Sequence, residues 1–260
     1  MQRWPNTESK AWSTWPAKKA PAESLAEPLY YYRENVDGIA SVLQAMRSCG
    51  VQHIVLSSSS SVYGNTPHEL INEDIPLKPE SPYGQTKVVS EWLVSSAANA
   101  FGMDYVNLRY FNVAGAGKPE LADRGVANLI PIVFGALARG DAPQVYGTDY
   151  PTPDGSCIRD YVHVVDLASA HAAAARRLAA GPTRAVYNVG TGHGTSVFEM
   201  LEVISEVTGR RFEPVLTDRR PGDPARVVGD VSRIAAELDW RAEHDLRAMV
   251  SSAWAAVAAE

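Results

Sequence analysis

The sequence predicts an α/β protein built on a parallel sheet, followed by a smaller domain of mixed structure. Residues 51–56, VQHIVL, form a nearly continuous apolar run, which is typical of a strand buried on both faces of a parallel sheet. A helical pattern after Ser81 and a second strand pattern at 104–113, DYVNLRYFNV, follow this run. Strand, helix and strand in this order indicate a right-handed crossover unit of a parallel sheet. The loop-rich sequence after Val113 favours a second domain.

Composition and charge narrow the class of protein. The 260 residues are 45% hydrophobic and 21% charged, which is enough apolar material for one or two folded domains. The apolar runs are shorter than the roughly 18 residues of a membrane-spanning helix, and residues 1–16 lack a signal-peptide core. A net charge of −6 without a basic cluster disfavours nucleic-acid and membrane partners. We therefore expect a soluble cytoplasmic protein that acts on a small molecule.

The first half of the chain carries clear start and stop signals for helices. Residues 1–16 hold three of the six tryptophans and show neither helical nor strand periodicity, so we expect a foreign or disordered leader. The segment VDGIASVLQAMRSCG reads as a helix that ends at Gly50. Ser81 in the capping position and Pro82 in the first turn open the next helix, which runs to Gly102.

The second half predicts a mixture of helices and strands. We expect helices near residues 125–139, at 164–180 and at 196–209, and a short strand, AVYNV, at 185–189. The loop between residues 140 and 157 is rich in proline and glycine. The two cysteines, Cys49 and Cys157, form no CxxC motif, so we expect reduced thiols and no metal site.

The strongest local signal for chemistry is Tyr83 followed four residues later by Lys87, in SPYGQTK. On a helix this spacing puts both side chains on one face. An ammonium beside a phenol lowers the pKa of the phenol, which then serves as a general acid or base near neutral pH. Taken alone, the pair is better explained as an ordinary exposed helix turn, so the prediction depends on its neighbours in the sequence.

A run of five serines, 57–61, follows the buried strand VQHIVL. In open α/β sheets, ligands bind outside the carboxyl ends of the strands. A serine hydroxyl here can bond the same substrate oxygen that Tyr83 addresses, although the serines can also simply satisfy backbone groups.

Several strings in this order resemble the extended short-chain dehydrogenases/reductases, the NAD-dependent epimerase/dehydratase family, and within it the UDP-glucose 4-epimerases. The strings are AESLAEPLYYYRENVDG, VLSSSSSVYG, SPYGQTK, LRYFNVAGA, YGTDYPTPDGSCIRDYVHVVDLA, YNVGTG and RRPGDPA. The resemblance covers the chain from about Lys18 onward. It implies a Rossmann-like parallel sheet that lacks its N-terminal part, with a smaller, mixed C-terminal substrate domain. It places a leader at 1–16, a partial NAD-binding domain at 17–113, and a UDP-sugar domain at 114–260 with some segments returning to the Rossmann sheet.

The resemblance also implies an activity and a set of site residues. The enzyme would interconvert UDP-glucose and UDP-galactose through a transient 4-keto sugar and NADH, as a homodimer. Ser59, Tyr83 and Lys87 would be catalytic, with Tyr83 as base and acid. These three residues would also contact NAD, together with Lys19, Asn35 and Phe111. The UDP-sugar would be held by Ser59, Tyr83, Asn112, Asn128, Gln144, Val145, Tyr146, Arg159, Arg220 and Asp223.

Some features depart from the family. Its opening strand and G-x-G-x-x-G turn have no counterpart in the sequence, so we expect roughly 60 to 70 residues, two βαβ-type units, to be missing upstream. The GTGHG at 190–194 has the wrong spacing and position for a dinucleotide-binding turn and reads as a tight turn. Val227 replaces a large aromatic residue of the family near the sugar, which leaves room for an N-acetyl group.

These departures leave two main alternatives open, and a related 4-reductase or decarboxylase also stays open. The chain is either an active epimerase, for plain or N-acetylated UDP-sugars, or a catalytically silent fragment that binds UDP-sugar or pairs with a full-length partner. A 4,6-dehydratase is disfavoured because Ser60 and Ser61 stand where an acid and base pair is needed. Related 4-reductases and decarboxylases lack the epimerase-specific loop at 146–163.

Overall fold

The computed structural model describes residues 11–13, 18–123, 125, 128–220 and 222–258. In chain order the strands are β1 (Ala11–Ser13), β2 (His53–Ser57), β3 (Asp104–Tyr110), β4 (Asn112–Ala114), β5 (Gln144–Tyr146), β6 (Ile158–His163), β7 (Arg184–Val189), β8 (Gly194–Ser196), β9 (Val215–Thr217) and β10 (Arg226–Val227). The α-helices are α1 (Pro21–Ala26), α2 (Pro28–Tyr32), α3 (Gly38–Cys49), α4 (Pro82–Phe101), α5 (Leu129–Arg139), α6 (Val164–Ala180), α7 (Val197–Thr208), α8 (Ser232–Leu238) and α9 (Leu246–Ala258).

The described chain forms two compact units, and each unit draws on separated segments. The first comprises the residues up to Gly64 together with Ile75–Arg109 and Ala170–Tyr187. The second comprises Asn65–Asp74, Tyr110–Ser169 and the residues from Asn188 onward.

A sheet with the strand order β1-β2-β3-β7 forms the centre of the first unit. β2 pairs in parallel with both β1 and β3, and Ile54 lies opposite Tyr105. Apolar side chains of α3, β2 and α4 pack into one core, as the continuous apolar run of β2 predicts; its buried members are Ile39, Leu43, Met46, Val51, Ile54, Leu56, Val94, Ala97, Ala98 and Met103. The α/β class with a parallel sheet is therefore confirmed.

The helix signals of the first unit are confirmed at both ends of α4. The Ser81 hydroxyl accepts a hydrogen bond from the amide of Gly84 at 3.1 Å, and Pro82 occupies the first turn. Gly102 ends the helix in the left-handed conformation, with φ of 67°. Gly50 ends α3 in the same way. The helix before Gly50 begins earlier than its apolar pattern predicts, because α2 and a π-helical turn at Arg33–Asp37 run directly into α3.

The structure corrects two expectations about strands. Ala11–Ser13, which the sequence analysis assigns to the leader, form β1 and pair with His53–Val55. A three-residue edge strand is too short to show a period, so the pattern gave no signal. The strand expected at 104–113 is divided at Phe111, because the Phe111 amide bonds the carbonyl of Val189 while β4 joins β6. The rest of the leader lies outside the described residues.

The second unit has its own sheets and core. β6 lies between β10 and β4, both parallel to it, and also pairs antiparallel with β8. β5 and β9 form a separate parallel pair. The core lies among α5, α7 and α9, with Phe134, Met200 and Met249 buried in it. The predicted helices at 164–180 and 196–209 are confirmed, and that near 125–139 begins at Leu129 after an extended Asn128. Among the described helices, none combines the length and apolarity needed to cross a membrane.

Candidate active site

Ser59, Tyr83 and Lys87 lie together in the first unit, where β2 ends against the start of α4. All three side chains are buried, each about 5% exposed. Ser59 and Tyr83 share a side-chain hydrogen bond. The Lys87 ammonium lies 5.8 Å from the centre of the Tyr83 ring. The strand end therefore faces the helix surface that carries both residues of the Tyr–Lys pair.

Lys87 is anchored to the strand end as well as to its own helix. Its Nζ donates a hydrogen bond of 2.8 Å to the Ser57 carbonyl. Burial lowers the pKa of Lys87 to about 8, while the negative charge of Glu91 works in the opposite direction. The ammonium thus loses its proton much closer to neutral pH than an exposed lysine does.

Burial is also the main influence on the pKa of Tyr83, and it shifts this pKa in the direction opposite to the one that the sequence predicted. Removing the phenol from water raises its pKa, and the hydrogen bond with Ser59 only partly offsets this. A lowered pKa was expected from the neighbouring lysine. Desolvation of the phenolate is the largest influence on this pKa.

Asn35 connects the π-helical turn to the same helix. Its amide nitrogen donates to the Thr86 hydroxyl at 2.9 Å, and that hydroxyl donates to the carbonyl of Tyr83 at 2.7 Å. Its amide oxygen accepts from the backbone of Lys18 at 2.9 Å. Lys19 is the next residue and is exposed. π-Turns within helices often occur at functional sites, and this one holds Asn35 against the start of α4.

Two residues that the sequence analysis did not single out support Tyr83 from α1 and α2. The buried Ser24 hydroxyl accepts a hydrogen bond from the Tyr83 amide at 3.1 Å. The Tyr31 ring meets the Tyr83 ring edge to face, with centroids 6.5 Å apart. Both residues belong to the string AESLAEPLYYYR, but periodicity alone does not distinguish such contacts from ordinary core packing.

Arg159 and Asp223 form the centre of the predicted substrate residues in the second unit. The guanidinium donates to the Asp223 carboxylate at 3.2 Å and to the carbonyl of Pro224 at 2.8 Å. Its side chain is only 15% exposed, so Arg159 is held in one place. Val227 lies opposite Arg159 in the paired strands β10 and β6.

A second group surrounds β5. The Arg220 guanidinium stacks on the ring of Tyr146 at 3.7 Å from the centroid. The Tyr146 hydroxyl donates to the side chain of Gln144, and Val145 between them is fully buried. The Asp223 amide bonds the carbonyl of Arg220, which links this group to Arg159.

The remaining predicted residues of this unit have separate partners. Phe111 is buried against Gly229, and Asn128 caps α5 without a side-chain bond to it while donating to Asp123 at 2.7 Å. Asn112 shares a side-chain hydrogen bond with Tyr161. The sequence analysis missed Tyr161, although it stands two residues after Arg159 on β6 and strand alternation puts both on one face.

The turn at 190–194 is structural, as expected. The buried Asp160 carboxylate accepts hydrogen bonds from the Thr191 amide at 2.8 Å and the Gly192 amide at 3.1 Å. A carboxylate in this position satisfies the amides that a dinucleotide phosphate would need.

A comparison with protein families matches residues 16–190 to the NAD dependent epimerase/dehydratase family. The UDP-glucose 4-epimerase of Corynebacterium glutamicum is 40% identical over 242 residues, which are 92% of this chain and 73% of that protein. The UDP-glucose 4-epimerase of Azospirillum brasilense is 42% identical over 227 residues, 86% of this chain and 65% of that protein.

Solved structures show the same likeness. The UDP-glucose-4-epimerase from Stenotrophomonas maltophila, crystallised with NAD and formylated UDP-arabinopyranose, superposes with a TM-score of 0.92 at 38% identity. The match covers 96% of this chain and 76% of that chain. Sequence and fold therefore agree over nearly the whole length of this chain.

Proposed function

Because this chain belongs to the NAD dependent epimerase/dehydratase family, we propose that it interconverts UDP-glucose and UDP-galactose by inverting the sugar at C4. The observation that carries the proposal is the buried group at the end of β2, where Ser59 bonds Tyr83 and Lys87 lies one helical turn away. A phenol, a hydroxyl and an ammonium can together exchange one proton with an alcohol.

Each member of this group has a role in the proposal. Tyr83 takes the proton of the sugar 4-hydroxyl, and it returns that proton to the same oxygen after the 4-keto sugar has turned its other face to the cofactor, which would carry the hydride of C4. Ser59 bonds the same oxygen. Lys87 supplies a positive charge that favours the phenolate form of Tyr83. The high pKa of buried Tyr83 makes this charge necessary for proton removal near neutral pH.

The same proposal assigns a set of residues that would bind NAD. Five residues of the first unit would hold its nicotinamide half: Lys19, Asn35, Ser59, Tyr83 and Lys87. Bound NAD would supply the redox chemistry of the reaction. The donor set fits, because hydroxyl, amide and ammonium groups suit a ribose and a carboxamide.

The UDP-sugar would be held by the second unit. The guanidinium groups of Arg159 and Arg220 match the oxygens of a pyrophosphate, and the carboxylate of Asp223 can accept hydrogen bonds from a ribose. We propose the same role for Asn112, Asn128, Gln144, Val145 and Tyr146. Tight binding of the nucleotide would leave the sugar free to turn between its two faces.

The test is a Tyr83→Phe variant compared with a Tyr32→Phe control. Tyr32 is an exposed residue of α2 whose hydroxyl donates to the side chain of Gln85. We expect Tyr83→Phe to lower kcat by about 10²–10⁴-fold, with UDP affinity nearly unchanged by calorimetry, and Tyr32→Phe to stay fully active. Persistent turnover in Tyr83→Phe would remove Tyr83 from the proposal. An unaltered chain that binds UDP without turnover or retained NAD would favour the silent-fragment alternative.

A second candidate substrate is an N-acetylated UDP-hexose. Val227, opposite Arg159 in the paired strands, is a small, partly exposed residue where the family has a large aromatic one, and the smaller side chain would leave room for an N-acetyl group. Comparing kcat/KM for UDP-galactose and UDP-N-acetylgalactosamine decides between them. A Val227→Tyr variant that loses only the N-acetylated substrate would support this candidate.

We also propose a homodimer that works in the cytoplasm, which the resemblance implies. The assembly is measured by sedimentation equilibrium, where a single species of 28.1 kDa would contradict it.

A further inference from the structure

We propose that Glu91 and Arg109 form a buried ion pair that positions the serine strand end and maintains the charge on Lys87. They are positioning residues, since neither touches the reacting atoms in the proposed function on which this inference rests. Nothing in the sequence motifs assigns them a role. They lie in the first unit, on α4 and β3, beside the Ser59, Tyr83 and Lys87 group.

Glu91 and Arg109 form a bidentate ion pair with two short hydrogen bonds. Arg109 Nε donates to Oε1 of Glu91 at 2.9 Å, and its NH2 group donates to Oε2 at 2.6 Å. Both side chains are only 6% exposed. Parallel bonds of this kind fix the carboxylate in orientation as well as position.

The same carboxylate holds the serine run. The Ser58 hydroxyl donates to Oε1 of Glu91 at 2.5 Å, and Ser58 itself is fully buried. On the other side, the NH1 group of Arg109 donates to the Tyr63 hydroxyl at 3.1 Å. The ion pair therefore bonds the serine run at Ser58, near its start, and the chain again at Tyr63, just beyond its end.

The spacing along α4 matches three consecutive residues of the strand end. Tyr83, Lys87 and Glu91 are four residues apart, so their side chains share one helix face. They contact the Ser59 hydroxyl, the Ser57 carbonyl and the Ser58 hydroxyl, respectively. A shift of the strand end that broke the Glu91 bond would also misplace Ser59 against Tyr83.

Charge gives Glu91 a second effect. Residues four apart on a helix have Cβ atoms about 5–6 Å apart, so the Glu91 carboxylate lies near the buried Lys87 ammonium. Its charge raises the pKa of Lys87 against the stronger effect of burial. Lys87 also lies near the phenol of Tyr83 on its own helix and bonds the backbone carbonyl of Ser57. The hydroxyl of Ser57 in turn shares a hydrogen bond of 2.9 Å with His171 of α6. Arg109 and Tyr63 lie beyond Glu91.

The experiment measures the titration of Lys87 directly, by NMR of lysine side chains in the full chain. The signal is assigned by its loss in Lys87→Arg. We expect Glu91→Gln to lower the midpoint by about one pH unit, because a negative charge is removed, whereas Arg109→Gln leaves it unchanged or raises it. Glu27→Gln, at an exposed residue of the same unit, is the matched control and leaves it unchanged.

A Glu91→Gln/Arg109→Gln double variant guards against a failure to fold, because neither member of the ion pair is left buried without the other. We expect it also to lower the midpoint. An unchanged midpoint in Glu91→Gln, or in the double variant if the single one does not fold, would overturn the inference. Activity is read separately: the alkaline limit of kcat/KM for UDP-galactose should move down with the midpoint. A chain that shows the NMR shift but no epimerisation would contradict the proposed function alone.

Discussion

Burial governs the titration of the two central residues of the candidate site. Tyr83 and Lys87 are both about 95% hidden from solvent, and in each case the neutral form gains, so the pKa of the phenol rises and that of the ammonium falls. The two shifts work against the proposed proton transfer when taken separately. The hydrogen bond from Ser59 and the charge of Glu91 partly offset these two shifts, so both neighbours favour the charged forms that the proposed proton transfer needs.

The first prediction at this scale concerns alkaline pH. Lys87 has a pKa of about 8, below its ordinary value of 10.5, so the charge that we propose to assist Tyr83 is lost above pH 8. We expect kcat/KM for UDP-galactose to fall about tenfold per pH unit above that point. The measurement is a pH profile from 6 to 10. Activity that stays level to pH 10 would contradict it.

The same shift has a consequence for stability with a definite sign. Between pH 8 and 10.5 the unfolded chain carries a proton on Lys87 that the folded chain has lost. The contribution of Lys87 to the free energy of unfolding therefore increases as pH rises through this window. Below pH 8 the burial of the ammonium is a constant cost.

At the scale of elements, the close approach of α4 to the serine run decides the geometry of the site. Gly84 follows Tyr83, and a Cβ added there would lie 2.6 Å from the backbone carbonyl oxygen of Ser61. Real Cβ atoms do not come so close, so the helix can reach the strand end only with glycine at this position. Gly84 is needed for its lack of a side chain, since its backbone is ordinary α-helix.

We predict opposite effects of two glycine-to-alanine changes in helices of the first unit. Gly38, at the start of α3, has no heavy atom within 4 Å of an added Cβ, so Gly38→Ala should raise the free energy of unfolding by up to about 1 kcal/mol. Gly84→Ala should lower it by about 1–3 kcal/mol and reduce kcat, because Tyr83 moves away from Ser59. Urea unfolding measures the free energy of unfolding of each variant, and steady-state kinetics measures its kcat. A fully active, stabilised Gly84→Ala variant would show that the approach is not tight.

At the scale of the whole molecule, we expect the free energy of unfolding to depend on pH, because a buried histidine of the second unit takes up a proton in mild acid when the chain unfolds. His163 is 3% exposed, its Nδ1 accepts from the Val165 amide at 3.0 Å, and its ring stacks on His244 at 4.3 Å. Burial and the neighbouring His244 lower the pKa of His163, against the charge of Asp166. Through its bond with the Val165 amide, His163 caps the start of α6.

The corresponding prediction concerns mild acid. A histidine whose pKa falls on folding contributes stability above its unfolded pKa of 6.5, and that stability is lost as pH falls below this value, since the unfolded chain binds the proton first. We expect the free energy of unfolding to drop between pH 7.5 and 5.5, and His163→Gln to show a smaller drop. His68→Gln, at an exposed histidine, is the control. Equal drops in all three chains would assign the acid sensitivity elsewhere.

Local features of this molecule were determined by sequence alone. The capped ends of α4, the buried strand β2 and the shared helix face of Tyr83 and Lys87 each depend on residues within a few positions of one another. Such features follow from backbone geometry and side-chain size. The order of motifs was likewise enough to identify the family.

Tertiary structure alone decided the contacts between distant segments. Glu91 meets Arg109 and Ser58, Arg159 meets Asp223 across 64 residues, and the short strand β1 joins the sheet. No local period encodes such pairings, because they depend on the register of strands and on which groups the packing buries. The direction of the Tyr83 pKa was decided in the same way: spacing places a lysine nearby, but desolvation is a property of the folded core and outweighs it.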